Sequence, residues 1–239
     1  MRQVFFLLRM RFLLVLCLFL GFGCTQDDAE RAVPSPGPSS ELPGAGNTYL
    51  ALGDSYTIGE GVAEADRWTT QLSRLAGLAP PVSIARTGWT TTDLQRALAE
   101  ADQQKTYDLV SLLIGVNNQF RQLPQAAYRT EFRQLLGTAT RFAGHRPGRV
   151  FVLSIPDWGR TPFGQMYDQA QISREIDQFN AVARDECQQA GVVFVDITSA
   201  TRAAAGDATQ FAPDGLHYSG RQMQQWAQLA LPVVRTALK

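Results

Sequence analysis

Lysine is almost missing from this chain, with only Lys105 and Lys239 in 239 residues, and histidine is equally scarce at two. The positive charge rests on twenty scattered arginines, the formal net charge is zero, and there is no basic run. An electrostatic footprint for nucleic acid is therefore excluded. Three cysteines, two of them at positions 17 and 24, leave Cys187 alone in the body of the chain, so no intrachain disulfide framework is available. Cys187 falls within a helical pattern and reads as a small buried apolar residue. No His, Cys or Asp cluster has metal-ligand spacing and no glycine-rich phosphate loop is present, so neither a metal nor a cofactor is expected.

Long apolar runs are also lacking. The one uninterrupted stretch, residues 12–22, follows Arg2, Arg9 and Arg11 and is eleven residues long. That is the length of a signal-peptide core and short for a bilayer span. Residues 1–23 therefore read as a signal peptide. The following Gly23-Cys24 resembles the processing site of bacterial lipoproteins, with Cys24 as the lipidation site, although Gly21 stands where an apolar residue is usual. Without the signal, 19 basic residues face 22 acidic ones, a mild imbalance that points to no particular partner. Residues 24–47 contain Pro34, Pro36, Pro38 and Pro43 among Ser, Gly and acids, a composition that forms a tether and no core. The folded domain is expected over 48–239, on a protein exported to the bacterial cell envelope and held at a membrane only through its lipid.

What the body of the chain does have is alternation. Short runs rich in Val, Ile and Leu at 49–52, 82–85, 109–114, 150–155 and 192–195 predict strands covered on both faces. Helical patterns lie between and after them at 67–76, 92–101, 125–142, 172–190 and 219–238. Strand alternating with helix implies a parallel sheet of about five strands with right-handed crossovers and helices on both sides. In such sheets ligands bind beyond the carboxyl ends of the strands, so the polar loops there matter most. They are Gly53-Asp54-Ser55, Arg86-Thr87-Gly88-Trp89, Gly115-Val116-Asn117-Asn118 and Pro156-Asp157-Trp158, and Asp214-Gly215-Leu216-His217 can return to the same edge.

Two of these motifs can supply a nucleophile, a base and an orienting carboxylate. His145 sits in a glycine- and proline-punctuated connection that reads as a solvated loop, which leaves His217 as the base. Taken together, Ser55, Gly88, Asn117 and His217, in that order and with the Asp-x-x-His spacing intact at Asp214, resemble the four blocks of the SGNH/GDSL hydrolase family from about residue 48 to the end of the chain. The resemblance implies a flavodoxin-like three-layer α/β/α sandwich and an enzyme that hydrolyses esters or thioesters. Ser55 would attack the acyl carbon, His217 would take and return the proton, and Asp214 would fix the imidazole tautomer. By the same resemblance the backbone N–H groups of Ser55 and Gly88 and the side-chain amide of Asn117 would form the oxyanion hole. Asp54 is expected to hold the nucleophile loop and to take no part in the chemistry. One position departs from the family: the third block commonly reads Gly-x-Asn-Asp, and here its last residue is Asn118.

Trp89, Trp158, Phe163 and Tyr167 lie on or after the active-edge loops and are candidate walls for an acyl or sugar site, while Arg86 and Arg160 could meet an anion or pair with surface acids. No long apolar lid-like insertion occurs, which favours small or soluble esters over bulk lipid. The expected substrates are small-molecule, glycan or lipid esters, from acetylated carbohydrates to lysophospholipids. The alternatives are an O-acyltransferase using the same triad and a non-catalytic cell-surface binding module on a hydrolase scaffold. Oligomeric state is not legible.

Overall fold

The computed structural model describes residues 46–239; the signal peptide, Cys24 and nearly all of the tether lie outside the described residues. Five strands form one sheet: β1 (Tyr49–Gly53), β2 (Val82–Ala85), β3 (Leu109–Leu113), β4 (Val150–Leu153) and β5 (Val193–Val195). All pairings are parallel and the order is β2-β1-β3-β4-β5. β1, β3 and β4 are buried at every residue, as runs covered on both faces must be. β2 and β5 depart from that expectation: Val82 and Val193 are exposed, because both strands lie at the edges of the sheet where the flanking layers end.

Among the described residues eight α-helices accompany the sheet. They are α1 (Ser55–Ile58), α2 (Trp68–Ala76), α3 (Thr91–Ala99), α4 (Val116–Phe120), α5 (Gln125–Phe142), α6 (Gln169–Ala190), α7 (Thr198–Ala203) and α8 (Gly220–Ala237). None is long and apolar enough to cross a membrane. The chain moves from β1 outward to β2, then crosses back over β1 to β3 and continues the other way. Right-handed crossovers running in opposite directions put their helices on opposite faces. α2 accordingly packs against α8, while α3, α5 and α6 pack in series.

Local chemistry explains the boundaries that matter for the site. α5 starts after Pro124 and buries Tyr128, Phe132, Leu135, Leu136, Ala139 and Phe142, a stripe at helical spacing. α3 opens with a reciprocal box in which the Thr90 hydroxyl accepts from the Asp93 N–H and the Asp93 carboxylate accepts from the Thr90 N–H. Inside the sheet the buried Tyr49 hydroxyl pairs with the Ser111 hydroxyl at 2.7 Å, so neither polar atom is orphaned in the core. Cys187 is fully buried on α6, and burial pushes its thiol up to about 12, which keeps it unreactive.

The strand register aligns the carboxyl ends. Gly53 pairs with both Ala85 and Leu113, so the loops after β1, β2 and β3 leave the sheet at one height. The strand order reverses direction at β1, and the crevice between β1 and β3 is the switch point where such sheets bind ligands.

Candidate active site

Ser55 is the first residue of α1, immediately after the end of β1. Asp54 caps this short helix: its Oδ1 accepts from the Tyr56 N–H at 3.0 Å. Ser55 is 5% exposed, and its hydroxyl has no hydrogen-bond partner among the described residues. The first N–H groups of a helix have no intrahelical acceptor, so the Ser55 N–H is free to point at an anion.

Gly88 closes the turn after β2, in which the Trp89 N–H donates to the Arg86 carbonyl at 3.2 Å. Its φ of +81° is what the third position of a type II turn requires, and a side chain would be strained there even though space is available. The Gly88 carbonyl accepts from the Arg121 guanidinium at 2.6 Å, which locks the peptide. After β3, Gly115 adopts φ +128° directly against Tyr128, whose ring a Cβ would meet at 2.7 Å. This packed turn starts α4 and carries Asn117, whose side-chain N–H donates to the Trp89 carbonyl at 3.0 Å. With one amide hydrogen so engaged, the Asn117 side chain is fixed and its second hydrogen remains available.

Asn118, the departure from the family pattern, is buried and uses both faces of its amide. Its Oδ1 accepts from the Thr91 N–H at 3.0 Å and its Nδ2 donates to the Thr91 hydroxyl at 2.6 Å, while that hydroxyl is also within hydrogen-bonding contact of Glu131. A carboxylate could not donate to Thr91, so the amide suits this partner and ties α3 to α4.

The last motif folds on itself. Asp214 Oδ1 accepts from the N–H groups of Leu216 and His217, both at 2.9 Å, and Oδ2 lies 2.6 Å from His217 Nδ1. Partial burial pulls the Asp214 pKa up, but the hydrogen bonds from the His217 ring and from the two backbone groups outweigh it and hold the carboxyl below its ordinary value. An ionised Asp214 therefore keeps the proton of His217 on Nδ1 and leaves Nε2 as the basic nitrogen. The His217 ring packs edge-on against Tyr56 at 5.5 Å.

Ser55, Gly88, Asn117 and His217 line one hollow of about 120 Å³, with Tyr56, Thr87, Val116, Phe120, Trp158 and Leu216 completing its walls. Of the aromatic residues expected at the wall, Trp158 is there, whereas Trp89 and Phe163 pack against the core and do not line the hollow. Val116, from the loop named after β3, and Phe120, which belongs to none of the named loops, also line it. They sit on α4, a five-residue helix too short for a periodic pattern, although Asn117 and Phe120 are three apart and so share a face. His145 is exposed in the loop before β4, at the opposite edge of the sheet. A larger groove of about 670 Å³ among Arg149, Val193 and Val233 lies at that same amino edge; the one hydroxyl in its lining, that of Thr236, donates to the Pro232 carbonyl, and no histidine lines it.

Asp54 behaves differently from Asp214. It is fully buried, its Oδ2 has no partner, and burial pushes its pKa up to about 7 despite the Tyr56 N–H. An unfolded aspartate ionises near ~3.9. Between that value and about 7 the folded chain therefore holds a proton that the unfolded chain has released, and stability falls as pH rises through this window, then levels off. Asparagine caps helices as well as aspartate does. Asp54→Asn is accordingly expected to flatten the decline in urea midpoint between pH 5 and pH 8, leaving the variant a few kcal/mol more stable than the parent at pH 8. Parallel curves for the two proteins would mean that Asp54 is ionised throughout.

No curated protein matches the chain. Among solved structures, Axe2, an acetylxylan esterase from Geobacillus stearothermophilus, superposes with a TM-score of 0.63 at 20% identity, over 80% of this chain and 95% of its own. LAE5, an alpha/beta hydrolase enzyme from the metagenome of Lake Arreo, gives 0.62 at 19% identity, over 82% of this chain and 97% of its own. TesA gives 0.63 at 19% identity, over 80% and 99%. These likenesses establish the fold, a five-stranded parallel sheet between two helical layers. Residues 51–225 match the GDSL-like lipase/acylhydrolase family, a span that contains all five motif residues from Ser55 to His217. The chain belongs to that family and is a serine hydrolase acting on ester bonds.

Proposed function

We propose that the protein cleaves short acyl esters, acetyl esters above all, with Ser55 as nucleophile, His217 as general acid and base and Asp214 as its orienting partner. The carrying observation is the convergence of Ser55, Gly88, Asn117 and His217 on one small hollow with Asp214 bonded to the far nitrogen of the imidazole. Ser55 Oγ forms a bond to the acyl carbon as its proton passes to His217 Nε2. The negative charge on the carbonyl oxygen is met by the N–H groups of Ser55 and Gly88 and the free amide hydrogen of Asn117. Each such donor is worth ~10²- to 10³-fold in turnover. The tetrahedral intermediate collapses, His217 gives the proton to the leaving alkoxide, and the alcohol departs. Water then repeats the sequence on the acyl-enzyme and releases the acid and the free serine.

Size supports the short acyl group. At ~30 Å³ for each water-sized group, a hollow of about 120 Å³ takes roughly four non-hydrogen atoms, the number in an acetyl ester group. The likeness to Axe2, an acetylxylan esterase, points to the same acyl group. On p-nitrophenyl esters from acetyl to palmitoyl, kcat/KM is expected to be greatest for acetyl and to fall steeply beyond butanoyl. A profile rising toward palmitoyl would refute a short-acyl pocket, and failure of a fluorophosphonate probe to label Ser55 would refute the nucleophile.

A further inference from the structure

A second hollow of about 170 Å³ adjoins the first, sharing Phe120 and Trp158 with it. We propose that it binds the alcohol half of the ester, and that this alcohol is an uncharged sugar. The inference rests on the short-acyl reading above, since an acyl pocket filled by acetyl leaves the alcohol outside it.

Three features give the hollow its chemistry. Phe120 and Tyr167, each 46% exposed, flank Trp158 with ring centres at 5.1 and 5.2 Å, presenting apolar faces to which the C–H side of a sugar ring can stack. Behind them runs a polar relay: the Trp158 indole N–H donates to Gln119 Oε1 at 2.6 Å, Gln119 Nε2 donates to Glu175 at 2.7 Å, and Gln171 Nε2 donates to the other Glu175 oxygen at 2.8 Å. Gln122 completes the lining, held in a left-handed conformation at φ +55° with its N–H on the Gln119 carbonyl at 2.8 Å.

The charge of this lining discriminates among ligands. It contains Asp168 and Glu175 and neither lysine nor arginine, so a phosphate or carboxylate would meet carboxylates without a compensating cation. A quaternary ammonium could use the rings and the carboxylates, but it carries no acceptor for the carboxamide N–H groups. Hydroxyl groups both donate and accept, and so pair with amides and carboxylates alike. The volume takes about six water-sized groups, one sugar ring with its substituents directed outward.

The test uses the ratio of kcat/KM for a monoacetylated methyl xyloside to that for p-nitrophenyl acetate, with acetylcholine as a third ester. Tyr167→Ala and Gln171→Ala change exposed residues and are each expected to lower this ratio about five- to tenfold through KM, with Tyr167→Phe restoring it. Titration of the Ser55→Ala protein with methyl xyloside, followed by tryptophan fluorescence, reads the hollow apart from the chemistry and is expected to saturate in the parent and weaken in the Tyr167→Ala double variant. Unchanged ratios with p-nitrophenyl acetate hydrolysis intact would overturn the sugar site and spare the esterase. A ratio that falls for acetylcholine alone would overturn it in favour of an ammonium site. Saturable sugar binding in a protein that hydrolyses none of the esters would sink the esterase reading and keep the sugar site; absence of both would sink the two together.

Discussion

Ser55→Ala is expected to lower kcat on p-nitrophenyl acetate by on the order of 10⁴- to 10⁶-fold, with little change in melting temperature. The two halves of this expectation come from different facts. In the proposed mechanism the Ser55 hydroxyl supplies the electron pair that attacks the acyl carbon, and no other nucleophile among the described residues lines the hollow beside His217 except the Thr87 hydroxyl and the Tyr56 phenol. Thr87 is already hydrogen-bonded to Glu60, and burial drives the Tyr56 pKa well above its ordinary value, so neither is poised to replace it. The stability half follows because the Ser55 hydroxyl holds nothing in place, whereas the backbone of Ser55, which alanine preserves, accepts the N–H groups of Gly59 and Glu60 at 3.0 Å. A variant that retained a tenth of the parent activity after purification would remove Ser55 from the chemistry. Lost activity accompanied by a large fall in melting temperature would implicate folding instead.

Asp214→Asn is the second large effect, expected near ~10⁴-fold in kcat with KM almost unchanged. The carboxylate has two tasks that the amide separates. Its Oδ1 accepts the N–H groups of Leu216 and His217, and an asparagine oxygen can do the same, so the turn is expected to fold. Its Oδ2 receives the His217 Nδ1 hydrogen at 2.6 Å, where the variant presents an NH₂ group. Two donors cannot face each other. The imidazole must then carry its proton on Nε2, where it cannot take one from Ser55. Nuclear magnetic resonance of the ring nitrogens reports the tautomer directly: Nε2–H in the variant with low activity fits this account, and Nδ1–H with low activity would place the loss elsewhere.

Much of the fold is legible in the sequence, for reasons that differ by element. α5 was expected at 125–142 and is found at Gln125–Phe142, because Pro124 marks its start and its large apolar residues recur at helical spacing over many turns. The strands were legible because central parallel strands are uninterrupted apolar runs. α1, α4 and α7 were missed, having four, five and six residues, too few for a period to declare itself. The missed α4 is why Phe120 escaped notice, and the relay from Trp158 through Gln119 to Glu175 escaped for a further reason. Its members are separated by as many as 56 residues, and of them only Trp158 falls in one of the loops named from the sequence.

The alternation of strand and helix, hence the parallel sheet, is carried by the sequence alone, as are the candidates for the reactive groups, since two histidines leave almost no choice of base. Periodicity and residue chemistry are local properties that the chain carries before it folds. Tertiary packing sets the rest: the loops after β1, β2 and β3 leave at one height, Asp54 is buried with an unpartnered oxygen, and Phe120 lines the pocket beside Trp158 while Trp89 does not. Those outcomes depend on strand register, on burial and on the direction a side chain takes after a turn. Each is set by packing between segments far apart in the chain, which no local pattern encodes.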